Sequence, residues 1–321
     1  MNSSKALSWA SALLALSGTS AIADSFPEHA IEIVVPYAAG GATDVFARSL
    51  ARAMSAALPN TPDVVVVNAP GGAGTIGLTQ VANAEADGYT IVFTTSSPIA
   101  LQPLYGRTPF TVEDFAPLAQ VSVIPAAFNV HMDSDIRSVD DLVAWATANP
   151  GAFTYASTGG NGSGTHIVSE QFAAALGIQM RHIPFEGTAP LTAALMGGQV
   201  MGTMQMPDMH TGGEVRPIVF LTPMRPSDPV YADIPTSTEL VIPAVANFFT
   251  AFLAPAGTPA DRLEVLSTAI ATALEDPGVQ DLFENANYPI SYAGPEVFGQ
   301  ILTETVASNR AELLRMGLIS Q

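Results

Sequence analysis

Ile31-Glu-Ile-Val-Val-Pro36-Tyr-Ala-Ala-Gly40-Gly41-Ala-Thr-Asp44, with the amphipathic run that follows it to Leu58, decides how the rest of the chain is read. Ile31, Ile33, Val34 and Val35 form the β-branched block of a strand, and Pro36, which has no N–H to give to a ladder, closes it. Val45, Phe46, Leu50, Ala53, Met54, Ala57 and Leu58 then recur at helical spacing, with Arg48, Arg52 and Ser55 on the other face. A helix therefore begins near Ala42 to Asp44. Gly40 and Gly41 lie between the two elements; lacking a Cβ, they let the backbone bend sharply and approach a ligand while the first helical amides stay unpaired. Free amides at the positive end of a helix favour a carboxylate or phosphate. The same residues also suffice for a tight turn that holds nothing, and this stretch alone leaves both readings open.

Residues 1–23 read as a secretory signal peptide: Lys5 near the start, an apolar run from Ala6 to Leu16, and Ala21-Ile22-Ala23 as a small-x-small cleavage site before Asp24. That run is shorter than the roughly 20 residues of a membrane span. Residues 24–321 suit one large domain or two ordinary ones, and 48% hydrophobic residues are ample for a core without disulfides, since the chain has no cysteine. Lys5 is the only lysine, so loss of the leader takes the formal charge from −18 to −19. Without lysine there is no Walker A lysine, no Schiff-base lysine and no Ser-x-x-Lys pair. Ten arginines against 29 acidic residues also argue against a nucleic-acid partner, which requires a basic surface. So acidic an exterior fits a high-salt habitat, where screening weakens self-repulsion.

Strand and helix patterns alternate along the chain, which predicts α/β architecture with helices over a mainly parallel sheet. Strands are expected at Val64 to Val67, Tyr89 to Thr95, Val121 to Val130, Phe153 to Ser157, Met180 to Phe185, Val200 to Met206, Val215 to Leu221 and Phe248 to Ala254. Helices are expected from the Gly-rich turn to about Ala86, at Ser138 to Ala148, after His166, and at Ala189 to Met196. Three more are expected at Pro259 to Leu274, Gly278 to Ala286 and about Pro295 to Met316. Ser96-Ser97-Pro98 and Thr222-Pro223 mark the two crossings between lobes, giving 24–96 plus 223–321 as one lobe and 97–222 as the other. Thr158-Gly-Gly-Asn-Gly-Ser-Gly-Thr-His166 repeats the logic of the opening turn between a strand and a helix, with hydroxyls from Ser163 and Thr165 and the His166 imidazole added.

Two catalytic motifs are tempting. Gly72-Ala-Gly74-Thr-Ile-Gly77 satisfies the dinucleotide fingerprint, but Thr94 and Thr95 stand where the next strand should end in an acid, so a structural turn is favoured over a nucleotide site. Gly162-Ser163-Gly164 near His166 invites a hydrolase reading, but Asn161 replaces the first glycine of the nucleophile elbow. The five histidines never fall at H-x-x-x-H or H-E-x-x-H spacing, so neither a metal nor another cofactor is expected.

From Val35-Pro-Tyr-Ala-Ala-Gly-Gly-Ala-Thr-Asp44 onward the chain resembles the solute receptors of tripartite tricarboxylate transporters, the Bug (TctC-like) family. The likeness continues in order through Val67-Asn-Ala-Pro-Gly-Gly-Ala-Gly74, Ala86-Asp-Gly-Tyr-Thr90, Tyr155 to His166, His182-Ile-Pro-Phe-Glu-Gly-Thr-Ala-Pro190, Gly197-Gly-Gln-Val200 and Leu253-Ala-Pro-Ala-Gly-Thr-Pro259. This resemblance implies a fold like the periplasmic binding proteins: two α/β lobes joined by two crossovers, a type II-like clamshell. It implies a monomer in the periplasm that closes on a small carboxylate and delivers it to integral-membrane permease subunits, with no catalysis. Carried over, its contacts are Tyr37, Ala38, Gly40, Gly41, Ala42, Thr43 and Asp44 on one lobe and Asn161, Gly162, Ser163, Gly164, Thr165 and His166 on the other. Ser97, Phe185 and Gln205 are expected at the same cleft.

Departures from the family pattern bear on selectivity. After Gly197-Gly-Gln-Val200, Met201-Gly-Thr-Met-Gln205 replaces a pattern with two acids, the next helix is shortened around Pro207 to Gly213, and Tyr-Ala-Ala stands where Phe-x-Pro is usual. Gln205 and Tyr37 are therefore expected to reshape the selective end of the pocket. Two other outputs remain open on sequence: a secreted α/β hydrolase using Ser163 and His166 with an acid such as Asp44, and a ligand sensor for a membrane signalling partner.

Overall fold

A computed structural model describes residues 26–37, 39–158, 161–185, 188–205, 215–222, 224–226 and 228–320. The expected leader, Ala38, and the segment around Pro207 to Gly213 lie outside the described residues. The elements begin with Ile31–Val35 (β1), Ala42–Ala57 (α1), Val64–Asn68 (β2), Thr75–Ala82 (α2), Thr90–Thr95 (β3), Ser96–Ala100 (α3) and Phe115–Val123 (β4). There follow Ala127–His131 (β5), Val139–Ala148 (α4), Phe153–Thr158 (β6), Gly164–Leu176 (α5), Met180–Phe185 (β7), Thr188–Met196 (α6), Gly202–Gln205 (β8) and Val215–Phe220 (β9). Phe249–Pro255 (β10), Ala260–Ala273 (α7), Pro277–Asn285 (α8), Ile290–Ala293 (β11) and Pro295–Arg315 (α9) complete the chain.

The strands form two sheets, ordered β11-β4-β10-β3-β1-β2 and β7-β6-β8-β5-β9. Both are built on one plan. A parallel triple (β2-β1-β3 or β7-β6-β8) is extended by an antiparallel strand, β10 or β5, that the chain enters directly after crossing from the other sheet. The sheets are thus mixed where a mainly parallel one is expected. The crossing strands are antiparallel because they arrive from the opposite lobe.

The strand expected over Val121 to Val130 is two strands in different sheets. By sheet membership the chain passes from the first sheet to the second at 124–126, not at Ser97, and β4 pairs with β10 and β11 in the first sheet. The return also comes later than Thr222-Pro223. Ala244 and Ala246 still pack in the core of the second sheet, and the chain rejoins the first at β10. Pro259 directly precedes α7 rather than opening it, a shift of one residue at a helix end.

Each sheet is covered on both faces. Ile31, Ile33 and Val35 of β1 are fully buried against Phe46 and Leu50 of α1 and Leu266 and Ile270 of α7, while Val34 faces the opposite layer with Leu78 of α2 and Phe298 of α9. In the second lobe Phe128, Phe153 and Tyr155 pack beneath α4 and α5, and Ala156 faces Leu191 and Leu195 of α6. A small cluster of Leu101, Ile167 and Leu313 ties α5 to the end of α9, so the C-terminal helix braces one lobe against the other.

Candidate functional site

In a parallel α/β sheet, ligands bind outside the carboxyl ends of the strands, where turns and helix N-termini gather. Here β1, β2 and β3 deliver the turns after Val35, Asn68 and Thr95 to one edge, and β6, β7 and β8 deliver those after Thr158, Phe185 and Gln205 to another. The two edges face each other. A cleft of about 320 Å³ is lined by Gly72, Ala73 and Thr75 from the first and by Asn161, Gly162 and Ser163 from the second. Across it the Tyr105 hydroxyl donates to the Gly162 carbonyl.

The opening turn is fixed from within. Gly40, at φ +84°, takes a backbone conformation that side chains disfavour, and its N–H donates to Asp44 Oδ2 at 2.9 Å. Asp44 is buried; its carboxylate also accepts from Asn68 Nδ2 at 2.9 Å and pairs with Arg48 at 2.9 Å. Burial alone would raise this carboxyl, but Arg48, the Gly40 amide and Asn68 outweigh it and hold it below the usual value. Asp44 is therefore the clamp of the turn, with its oxygens committed to the chain. Helix α1 starts at Gly41, which has no side chain to cap it, and Gly40, Gly41 and Ala42 are exposed with Thr43 half-buried. The first amides of a sixteen-residue helix thus have no side-chain cap, on the same carboxyl edge as the turn at 72–75 that lines the cleft.

Tyr37 behaves otherwise than expected. Its ring packs into the core beneath α1, its hydroxyl meets Thr95 Oγ1 at 2.5 Å, and burial pushes its phenol up; only its carbonyl, which accepts from Asn68, belongs to the turn. Ser97 lies half-buried in α3, directly after β3.

The second turn is held by a histidine pair. His166 and His182 stack with ring centres 3.9 Å apart. His166 Nδ1 accepts the Gly162 N–H at 2.8 Å, which makes Nε2 its protonated nitrogen. His182 lies between Asn161 Oδ1 at 3.0 Å and Ser157 Oγ at 2.7 Å, so its Nδ1–H supports Asn161 while its Nε2 accepts from Ser157. Burial favours the neutral form of both, and desolvation with the neighbouring His166 brings His182 down to about 4. Ser163 caps α5 by accepting from the His166 amide and meets Thr165 Oγ1 at 3.3 Å. Gly164 is required by packing, because a Cβ there would come within 2.9 Å of the Phe248 ring.

Phe185 and Gln205 sit at the same edge as the second turn. Phe185 packs half-buried on the α6 side of the sheet, and Gln205 is buried with Nε2 3.4 Å from Thr192 Oγ1 and with no hydrogen-bond partner for Oε1 among the described residues. The triad of a hydrolase is not assembled: the Ser163 hydroxyl faces the His166 backbone, the His166 ring faces Gly162 and His182, and Asp44 is tied to Arg48 in the other lobe. The dinucleotide-like glycines are explained by packing, since a Cβ at Gly74 would meet Pro98 at 2.5 Å and one at Gly77 would meet Pro36 at 2.9 Å. No group of three or more metal-ligating side chains occurs among the described residues. Sequence reasoning missed Tyr105 and Arg107, which line the cleft from the stretch after α3.

Residues 46–318 match the family model described as tripartite tricarboxylate transporter family receptor. The chain belongs to this receptor family. It is 32% identical over 293 residues to BugT of Bordetella pertussis, covering 88% of each chain. A TctC solute binding protein from Polaromonas superposes with a TM-score of 0.80 at 29% identity, covering 90% of this chain and 99% of that one. A protein of R. palustris, solved with adipate, superposes with a TM-score of 0.74 at 26% identity, over 91% of this chain and 98% of the other. The family is one of solute-binding receptors, not enzymes, and the two-lobed α/β architecture of this receptor agrees with its solved relatives.

Proposed function

We propose that this receptor captures a small carboxylate between the turn at 40–44 and the turn at 161–166 and hands it to the membrane permease of a tripartite tricarboxylate transporter. The observation that carries the reading is the pair of helix N-termini, α1 opening uncapped at Gly41 and α5 opening at Ser163, each on the carboxyl edge of a parallel triple. A chain of formal charge −18 repels anions at long range, so capture depends on dipoles concentrated at one spot. Backbone amides preorganised by Asp44 on one side and by the histidine pair on the other supply them. Closing the lobes would remove the carboxylate from water and strengthen those hydrogen bonds. The leader-like residues 1–23 support action in the periplasm, with residues 24–321 as the mature chain. The adipate seen with the R. palustris relative supports a carboxylate ligand.

A thermal-shift screen of mono-, di- and tricarboxylates tests this. At least one carboxylate is expected to raise the melting temperature of the purified protein, and Gly41→Leu, at a backbone geometry open to any residue, is expected to abolish the shift while leaving the unliganded melt in place. Stabilisation by sugars or cations alone would contradict the proposal.

A further inference from the structure

Among the described residues, Arg107 is the cation that lines the cleft between the two lobes; Arg52, Arg137, Arg181 and Arg310 are likewise exposed but are not part of that wall. Arg48, Arg216, Arg225, Arg262 and Arg315 are each spent on a carboxylate or a carbonyl of the fold. Arg107 is exposed, has no hydrogen bond or ion pair to any described residue, and lines the cleft between the two lobes. Among the described residues no aspartate or glutamate lines that cleft, although acidic residues outnumber basic ones 29 to 11 along the chain. Arg107 is thus the one formal charge among the described residues of its wall. The rest of the wall is polar: Thr75, Gln102 and Thr108 on the side of Arg107, with Asn161 and Ser163 opposite. Tyr105, two residues before Arg107, donates to the carbonyl of Gly162, which moors the arginine's own segment to the turn that opens α5.

From this arrangement we infer that Arg107 receives a second, distal carboxylate, so that the receptor selects dicarboxylates over monocarboxylates of equal length. The inference rests on the carboxylate reading above and adds to it the charge and shape of the ligand. The first carboxylate occupies the amides at the helix N-termini, which carry no formal charge. The second meets a guanidinium, whose planar fork matches a carboxylate with two parallel N–H donors. Gln102 and Asn161 bring side-chain amides to the same wall. A volume of about 320 Å³ lies at the lower end of small-molecule sites, which suits an extended diacid of a few carbons.

Calorimetric titration of the purified protein with succinate, glutarate and adipate, each against butyrate, pentanoate or hexanoate of the same carbon number, tests the inference. The wild type is expected to bind a dicarboxylate more tightly than its matched monocarboxylate. Arg107→Gln is expected to weaken the dicarboxylate by about tenfold or more while leaving the monocarboxylate within about twofold, and Arg107→Lys to restore part of the loss. Unchanged dicarboxylate affinity in Arg107→Gln, or an equal loss for both ligands, would overturn the role of Arg107 and leave the carboxylate reading standing. A wild type that binds none of the six acids, and that no carboxylate stabilises in the thermal screen, would overturn both.

Discussion

Asp44 and His166 do the same work on opposite lobes: each accepts an N–H from a glycine four residues earlier and so fixes a turn ahead of a helix. Their responses to acid differ. Asp44 is held below its ordinary value, so its contribution is complete above about pH 4 and fades only in strong acid. His182 titrates nearer neutrality. Its folded value of about 4 lies below its unfolded value of 6.5, so the unfolded chain binds a proton that the native stack refuses. Stability is therefore whole above pH 6.5 and is lost as the pH falls toward 4. Urea unfolding across that window is expected to show a steady decline for the wild type and a shallower one for His182→Gln. A fall in stability that begins only below pH 4 would remove the histidine pair from this account.

Helix α2 shows what a glycine motif can mean at the scale of an element. A Cβ on Gly77 would come within 2.9–3.1 Å of Pro36 and the Ala69 carbonyl, so the helix lies against the turns of β1 and β2 and sets the height of the cleft wall. Gly77→Ala is expected to cost about 1–3 kcal/mol in equilibrium unfolding, with reduced ligand-induced stabilisation as the 72–75 turn moves; a neutral substitution would contradict that packing. Elements with strong local signals were legible in the sequence. β1 follows from its β-branched block, α1 from periodicity, α4 from Ser138 and its cap to the Asp141 amide, and β2 from the uninterrupted valines 64–67. What escaped was non-local. β11, four residues long, exists through pairing with β4, and the apolar run from β4 into β5 shows no local sign that the chain changes sheets there. Ser96 to Ala100 read as punctuation because of Pro98, yet proline is tolerated in the first turn of a helix. The site followed the same rule. Its two turns were visible as strand-glycine-helix patterns. The commitment of Tyr37 to Thr95 and the reach of Tyr105 to Gly162 span 58 and 57 residues and leave no trace in local spacing.

At the scale of the molecule, two sheets of the same plan face each other by their carboxyl edges, braced by α9 and joined through β5 and β10. Each crossing strand is paired on both sides in the sheet it enters, and the short link at 124–126 lies outside both sheets. The acidic surface sets the background against which the site must act, and the uncapped start of α1, the capped start of α5 and Arg107 are the local exceptions to it. A crystal structure of the receptor with the carboxylate that stabilises it most tests this most directly. The expected result is a carboxylate with oxygens about 3 Å from amides in both 40–44 and 161–166. An anion bound to one lobe alone, or bound away from both turns, would contradict it.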